Sequence, residues 1–148
     1  MEIGDSMPEF TLNNAQGIPF SSQSLQSKAS VVFFYPKNFT PGCTKEVCSF
    51  RDSFEKFSDL GVEVIGISGD STSSHKKFSE RYKLPFILLS DTNSKVQRLF
   101  GVKKVLLGIL PGRETFVFDH LGKLIYKFKA LGADAHIRNA LKQLNKLS

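Results

Sequence analysis

Three short apolar runs constrain the fold more than any other feature of the chain. They are Val31-Val32-Phe33-Phe34-Tyr35, the stretch Val62 to Ser68, and Phe86-Ile87-Leu88-Leu89. Runs of that length and character are typical of strands covered on both faces. Each is followed by a segment with apolar residues at helical spacing: Val47, Phe50, Phe54 and Phe57, then Phe78 and Tyr82, then Val96, Leu99 and Phe100. Strands that alternate with helices lie parallel, because the connection must cross over the sheet and the helices then cover its faces. The stops agree with this pattern. Leu60-Gly61 ends the first helix, Pro85 the second and Gly101 the third, while Asp70 or Ser71, and Asp91 or Asn93, are suited to open the second and third.

The ends of the chain read differently. Phe10-Thr11-Leu12 and Ile18-Pro19-Phe20 flank Asn13-Asn14-Ala15-Gln16-Gly17 as an opening hairpin, and Leu25 is held inward by a short polar turn. Late in the chain an apolar, Gly/Pro-bearing connection (105–112) leads into a strand from Arg113 to Asp119. A turn at Asp119-His120-Leu121-Gly122 follows, then a returning strand from Leu124 to Phe128. Asp134 is suited to cap a last helix with Ile137, Leu141 and Leu144 on one face. The expected fold is α/β and thioredoxin-like: a central mixed β-sheet flanked by helices, with an N-terminal β-hairpin extension. Its 148 residues, without linker or repeat, read as one domain over 1–148.

The loop after the first apolar run carries the chemistry. Tyr35-Pro36-Lys37-Asn38-Phe39-Thr40-Pro41-Gly42-Cys43-Thr44-Lys45-Glu46-Val47-Cys48 leaves a strand, turns through two prolines and a glycine, and enters a helix. Both cysteines of the protein lie at the front of that helix. Unsatisfied backbone N–H groups and the positive end of the helix dipole favour thiolate over thiol there, the condition for a reactive cysteine. The carboxyl end of a strand in an open sheet is also where ligands usually bind. A continuous helix sets positions i and i+5 ~7.5 Å apart along its axis and ~140° around it, hence roughly 8–9 Å between Cα atoms. A disulfide needs less than about 7 Å, so Cys43 and Cys48 cannot bridge while the helix is intact.

Composition excludes several other classes. Two cysteines in a chain of this length are not a secreted disulfide scaffold, and His75, His120 and His136 lack finger-like spacing, so no metal site is expected. No apolar run approaches the roughly 20 residues of a membrane span, and the N-terminus has no basic and apolar regions of a secretory signal. The net charge of +6 is uneven: residues 1–74 carry 5 Lys+Arg and 9 Asp+Glu, residues 75–148 carry 15 and 5. The late lysines (Lys123, Lys127, Lys129, Lys142, Lys146) are spaced singly among core residues, which fits a solvated surface better than a nucleic-acid interface. The three histidines read as a cap, a turn and an exposed helix position, remote from Cys43. Glu46 pairs with Lys45 or Arg51 in solvent, or orients arginines about the site.

Pro36-x-x-x-Thr40-x-x-Cys43 resembles the signature of the peroxiredoxins, and Thr-Pro-Gly-Cys-Thr-Lys-Glu-x-Cys is similar to their peroxiredoxin Q, or bacterioferritin-comigratory, branch. The likeness continues in order through Ser49-Phe50-Arg51-Asp52, Val64-Ile65-Gly66-Ile67-Ser68, Leu88-Leu89-Ser90-Asp91 and Leu110-Pro111-Gly112-Arg113-x-Thr115-Phe116-Val117. The resemblance implies a peroxidase that reduces hydrogen peroxide and organic hydroperoxides. Cys43 would be the peroxidatic cysteine, oxidised to a sulfenic acid, and Cys48 the resolving cysteine that closes a Cys43–Cys48 disulfide. The helix would have to unwind for that step. Thr40 would place its hydroxyl beside sulfur and peroxide, and Pro36 would shield the sulfur from water. Arg113 would bring a permanent cation and a rigid fork of donors, and backbone N–H groups around Gly42 and Cys43 would act as fixed donors.

The same resemblance implies no cofactor, with electrons from thioredoxin or a similar dithiol protein, and a monomer. It implies a cytoplasmic protein, or a plastid one if the chain is a processed mature form. Two other readings compete. A thiol–disulfide oxidoreductase on the same fold would use Cys-x-x-Cys, whereas the spacing here is Cys-x-x-x-x-Cys. A basic nucleic-acid-binding module would need a motif the sequence lacks.

Overall fold

A computed structural model describes residues 1–105, 110–111, 113–129 and 133–146. The strands are β1 (Thr11–Asn14), β2 (Pro19–Ser21), β3 (Ser30–Phe34), β4 (Glu63–Ser68), β5 (Ile87–Ser90), β6 (Lys104–Val105), β7 (Leu110–Pro111), β8 (Glu114–Phe118) and β9 (Leu124–Lys129). The helices are α1 (Pro41–Asp59), α2 (Thr72–Tyr82), α3 (Lys95–Leu99) and α4 (Ala133–Asn145), with a 3-10 turn at Ser22–Leu25.

The main sheet has the order β2-β1-β5-β4-β3-β8-β9. The three apolar runs form its parallel centre, β5-β4-β3, with β3 paired to β4 in the register Val32↔Ile65. The hairpins add antiparallel flanks, β1 against β5 and β8 against β3. This is the mixed sheet flanked by helices that the sequence led us to expect. Every residue of β3 is buried, because it is central and covered on both faces.

Alternation along β3 separates two cores. Val31 and Phe33 join α1, α2 and α4 through Val47, Phe50, Phe57, Phe78, Ile137 and Leu144. Val32 and Phe34 join α3 and the N-terminal segment through Phe10, Val96 and Phe100. One glycine fixes how α1 lies over the sheet. A Cβ on Gly66 of β4 would come within 2.7 Å of the Phe33 ring. Gly66 thus leaves space for that ring, which stacks on Phe50 of α1 with centroids 4.3 Å apart and planes 6° from parallel. Burying each such aromatic contributes roughly 1.5–3 kcal/mol, so α1 is held firmly from Phe50 onward.

Some local expectations need correction. Asp91 does not open α3 as its N-cap, a place taken by Ser94 with φ +56. Its carboxylate instead accepts the amides of Val96 and Gln97 at 3.1 and 2.8 Å, doing a cap's work from outside the helix. Leu99, expected in the core, is 45 % exposed because α3 is only five residues long and turns just one face inward. Helix α4 opens at Ala133, so Asp134 falls inside its first turn rather than ahead of it. Most of the 105–112 connection and the side chain of His136 lie outside the described residues; at its edges β6 and β7 pair antiparallel.

Candidate active site

Strand β3 ends at Phe34, and the chain crosses the sheet's carboxyl edge as a loop before α1 begins at Pro41. Proline suits the first helical position, since its missing N–H would have no partner there. Thr40 is the N-cap by backbone, with φ −84 and ψ 145, but its side chain makes no capping bond and the first turn has no acidic residue. Its hydroxyl donates to the Lys37 carbonyl at 2.9 Å. The first intrahelical bond runs from the Thr44 amide to the Thr40 carbonyl at 2.8 Å. The earlier amides of the turn have no intrahelical acceptor, and with no side chain capping them they remain available to an oxygen of a substrate.

Cys43 is the third residue of α1 and 1 % exposed, packed in the same core as Tyr35 and Val47. Arg113, seventy positions later and directly before β8, reaches it: Nη2 donates to Sγ at 3.4 Å. Pairing of β8 with β3 brings Arg113 there, since Phe34 and Glu114 are register partners. Gly42 makes the approach feasible. A Cβ at Gly42 would lie 2.5 Å from Arg113 Nη2, closer than atoms tolerate. Pro36 is half-buried on the same loop.

The structure thus gathers Pro36, Thr40, Gly42, Cys43 and Arg113 at one edge of the sheet. Cys48 stands apart from this group. It is the eighth residue of the same unbroken helix, partly buried, and its thiol is free, as is that of Cys43. The ~8–9 Å separation of i and i+5 therefore holds in this conformation. Burial pushes the Cys48 thiol upward from its ordinary value; nearby Arg51 opposes this and Asp52 adds to it. Cys48 is therefore kept as the neutral thiol at neutral pH and does not compete for an oxidant.

Two further polar residues belong to the surroundings of this site. The first is Glu46, which is buried and sits 3.5 Å from Arg113 Nη1: of the two places expected for it, in solvent with Lys45 or Arg51 or beside an arginine of the site, the structure shows the second. Its Oε2 has no hydrogen-bond partner among the described residues. Desolvation raises its carboxyl to about 7 from the usual 4.5, and the Arg113 cation only partly offsets that. Position i+3 from Cys43 on an inward helix face was the available signal. The consequence for stability has a definite sign. Because the folded protein holds this proton more tightly than the unfolded chain, the benefit is complete below about pH 4.5 and is lost as pH rises through 7. We expect Glu46→Gln to equal the wild type in urea unfolding at pH 4.5 and to exceed it by on the order of 2–3 kcal/mol at pH 8. Parallel curves at both pH values would contradict this.

The second is His75, expected as a helix cap but fully buried inside α2. Ser71 takes the cap, accepting the Ser74 amide at 3.1 Å. His75 belongs to a polar cluster below the loop. Tyr35 Oη donates to Asn38 Oδ1 at 2.6 Å, Asn38 Nδ2 approaches His75 Nδ1 at 3.0 Å, and the Asn38 amide donates to Asp70 Oδ2 at 2.9 Å. Burial pushes Tyr35 up and His75 down, so both are neutral. His120 lies exposed in its turn as expected.

The chain is similar to known proteins over most of its length. The model of the AhpC/TSA family matches residues 3–127. The chain is 50 % identical over 146 residues to peroxiredoxin Q, chloroplastic, of Sedum lineare, covering 97 % of this chain and 78 % of that protein. To the protein of the same name in Populus jackii it is 48 % identical, covering 97 % and 68 %. Among solved structures, peroxidoxin BcpB of Mycobacterium tuberculosis superposes with a TM-score of 0.91 at 38 % identity, covering 100 % of this chain and 99 % of that one. A mutant of Xanthomonas campestris peroxiredoxin Q gives 0.86 at 28 %, covering 94 % and 92 %.

Proposed function

We propose, for a chain that belongs to the AhpC/TSA family and is a thiol peroxidase of the two-cysteine type, a division of labour among its residues. Cys43 is the peroxidatic nucleophile. Its thiolate attacks the terminal oxygen of hydrogen peroxide or an organic hydroperoxide. The O–O bond breaks, the sulfur becomes a sulfenic acid, and the departing alkoxide or hydroxide takes a proton to leave as alcohol or water. Arg113 and the free amides of the first turn of α1 stabilise the negative charge as it passes from sulfur to the leaving oxygen. Thr40 borders the oxidant, Gly42 keeps the guanidinium close, and Pro36 limits water at the sulfur. The observation that carries this reading is the Arg113 Nη2 to Cys43 Sγ contact of 3.4 Å at an uncapped helix start.

Cys48 is the resolving thiol. It attacks the sulfenic sulfur, a disulfide forms and water leaves. The burial pattern supports a local unwinding that allows this. Of residues 41–48 only Cys43, Glu46 and Val47 are buried, whereas Phe50 and Phe57 anchor the remainder of the helix. Opening the first two turns gives up a few backbone hydrogen bonds, each about 0.5–1.5 kcal/mol net, and little apolar area. A reductant then restores both thiols. No helix among the described residues is long and apolar enough to cross a membrane, and with an intramolecular pair the protein functions as a single-domain monomer with a thioredoxin-like donor. The chloroplastic names of the plant relatives favour the plastid over the cytoplasmic alternative. An NADPH-coupled assay with thioredoxin and its reductase tests this reading. Sustained peroxide-dependent oxidation of NADPH is the expected result, and absence of turnover with thioredoxin, glutaredoxin or dithiothreitol would overturn it.

A further inference from the structure

The loop that carries the peroxidatic cysteine is fastened to α2 more completely than chain connectivity requires. Every polar group of Asn38 apart from its own carbonyl is engaged. Its amide donates to Asp70 Oδ2, its Oδ1 accepts from Tyr35, and its Nδ2 donates to Ser74 Oγ at 3.2 Å and to His75 Nδ1 at 3.0 Å. The tautomer of His75 follows from its other partner. Nε2 lies 3.0 Å from the Leu89 carbonyl, which only accepts, so the proton sits on Nε2 and Nδ1 is left as the acceptor Asn38 needs. Burial keeps the ring neutral, the one state with both bonds. The next residue, Phe39, has φ +65, a costly conformation for an aromatic residue. Its ring is half exposed and docks edge-on against Phe78 of α2, with centroids 5.0 Å apart.

A strained residue persists only where its surroundings fix it. Apart from Tyr35, directly after β3, the fixing groups sit on α2 and the β4–α2 turn, and all of them lie outside the segment that unwinds. The segment they restrain begins one residue after Phe39 and ends at the peroxidatic thiol. We infer that His75, acting through Asn38, is a positioning residue that holds the Cys43 loop in its folded, peroxide-reactive conformation and thereby limits how fast Cys48 reaches the sulfenic acid. This rests on Cys48 as the resolving thiol. A clamp of this kind favours the first chemical step at the expense of the second, and it lengthens the interval in which a second peroxide converts the sulfenic to a sulfinic acid.

The test is rapid-quench kinetics of full-length wild type, His75→Ala and Asn38→Ala, with hydrogen peroxide as oxidant and mass spectrometry of alkylated protein resolving sulfenic acid, disulfide and sulfinic acid. Loss of the buried bonds shifts the loop equilibrium by about tenfold. In His75→Ala, disulfide formation should therefore quicken by several-fold to about tenfold, sulfenic acid formation should not quicken, and the peroxide concentration giving half-inactivation should rise in parallel. A residue with a merely structural role would slow both steps or neither, and that result overturns the proposal. If circular dichroism shows that His75→Ala does not fold, Asn38→Ala, which leaves no cavity in α2, must show the same acceleration or the proposal fails. Failure of the underlying reading looks different: the wild type itself would form no Cys43–Cys48 disulfide.

Discussion

Cys43→Ser should lose peroxide consumption down to the uncatalysed background while keeping the wild-type circular dichroism spectrum. The loss should be complete because nothing else in the molecule can take over the attack. Cys48, the one other thiol, is held neutral by burial and lacks the Arg113 contact made by Cys43 at 3.4 Å. A serine hydroxyl in the same place is a weak nucleophile without a base to take its proton, and among the described residues the side chain hydrogen-bonded to position 43 is Arg113, a cation. Tyr35 is neutral and donates its proton to Asn38. The fold should survive since sulfur and oxygen differ little in size and the aromatic stack of Phe33 on Phe50 positions α1 independently of the side chain at 43. The assay is peroxide disappearance under both thioredoxin and dithiothreitol; appreciable turnover by the variant would refute the assignment of Cys43.

Cys48→Ser should react once and stop. The first step does not involve residue 48, so the variant should consume one equivalent of peroxide at the wild-type rate and accumulate sulfenic acid, detectable as a dimedone adduct. Thioredoxin-dependent turnover should then fall to the background, because that donor is proposed to act on the Cys43–Cys48 disulfide. Under excess peroxide the trapped species should advance to the sulfinic acid at far lower concentrations than in wild type. Normal cycling with thioredoxin would mean that an external thiol resolves the sulfenic acid. In that case the spacing of the two cysteines would carry no mechanistic weight.

The residues that announced the fold are those whose chemistry is local. Apolar runs with a β-branched and aromatic bias marked β3, β4 and β5, and Gly61, Pro85 and Gly101 marked the helix ends, because backbone geometry is imposed within a few residues. Cys43 stood out for the same reason, as a thiol at the start of a helix, whereas the role of Thr40 was named through the family pattern. Arg113 was named only through the family pattern, since its meeting with Cys43 depends on β8 pairing with β3, far apart in the chain. Glu46 was left between solvent and the arginines of the site, and His75 was misplaced, because residue type is a poor guide to burial where tertiary partners exist: a charged or polar side chain is assigned to the surface by default. Each was on an inward helical face, Glu46 three positions after Cys43 and His75 three before Phe78. Periodicity carried that information, and the polarity of the two residues masked it.

Cys43 is thus assigned to work in an intact helix and to meet Cys48 only when the start of that helix opens. The sharpest check is amide hydrogen exchange on the reduced protein and on protein oxidised by one equivalent of peroxide, with peptide mapping to establish the Cys43–Cys48 link. The reduced form should protect the amides from Thr44, whose bond to Thr40 opens the ladder at 2.8 Å. Oxidation should abolish protection over residues 44–48 and preserve it from Phe50 to Phe57. A mapped Cys43–Cys48 disulfide with protection at 44–48 unchanged would refute the unwinding.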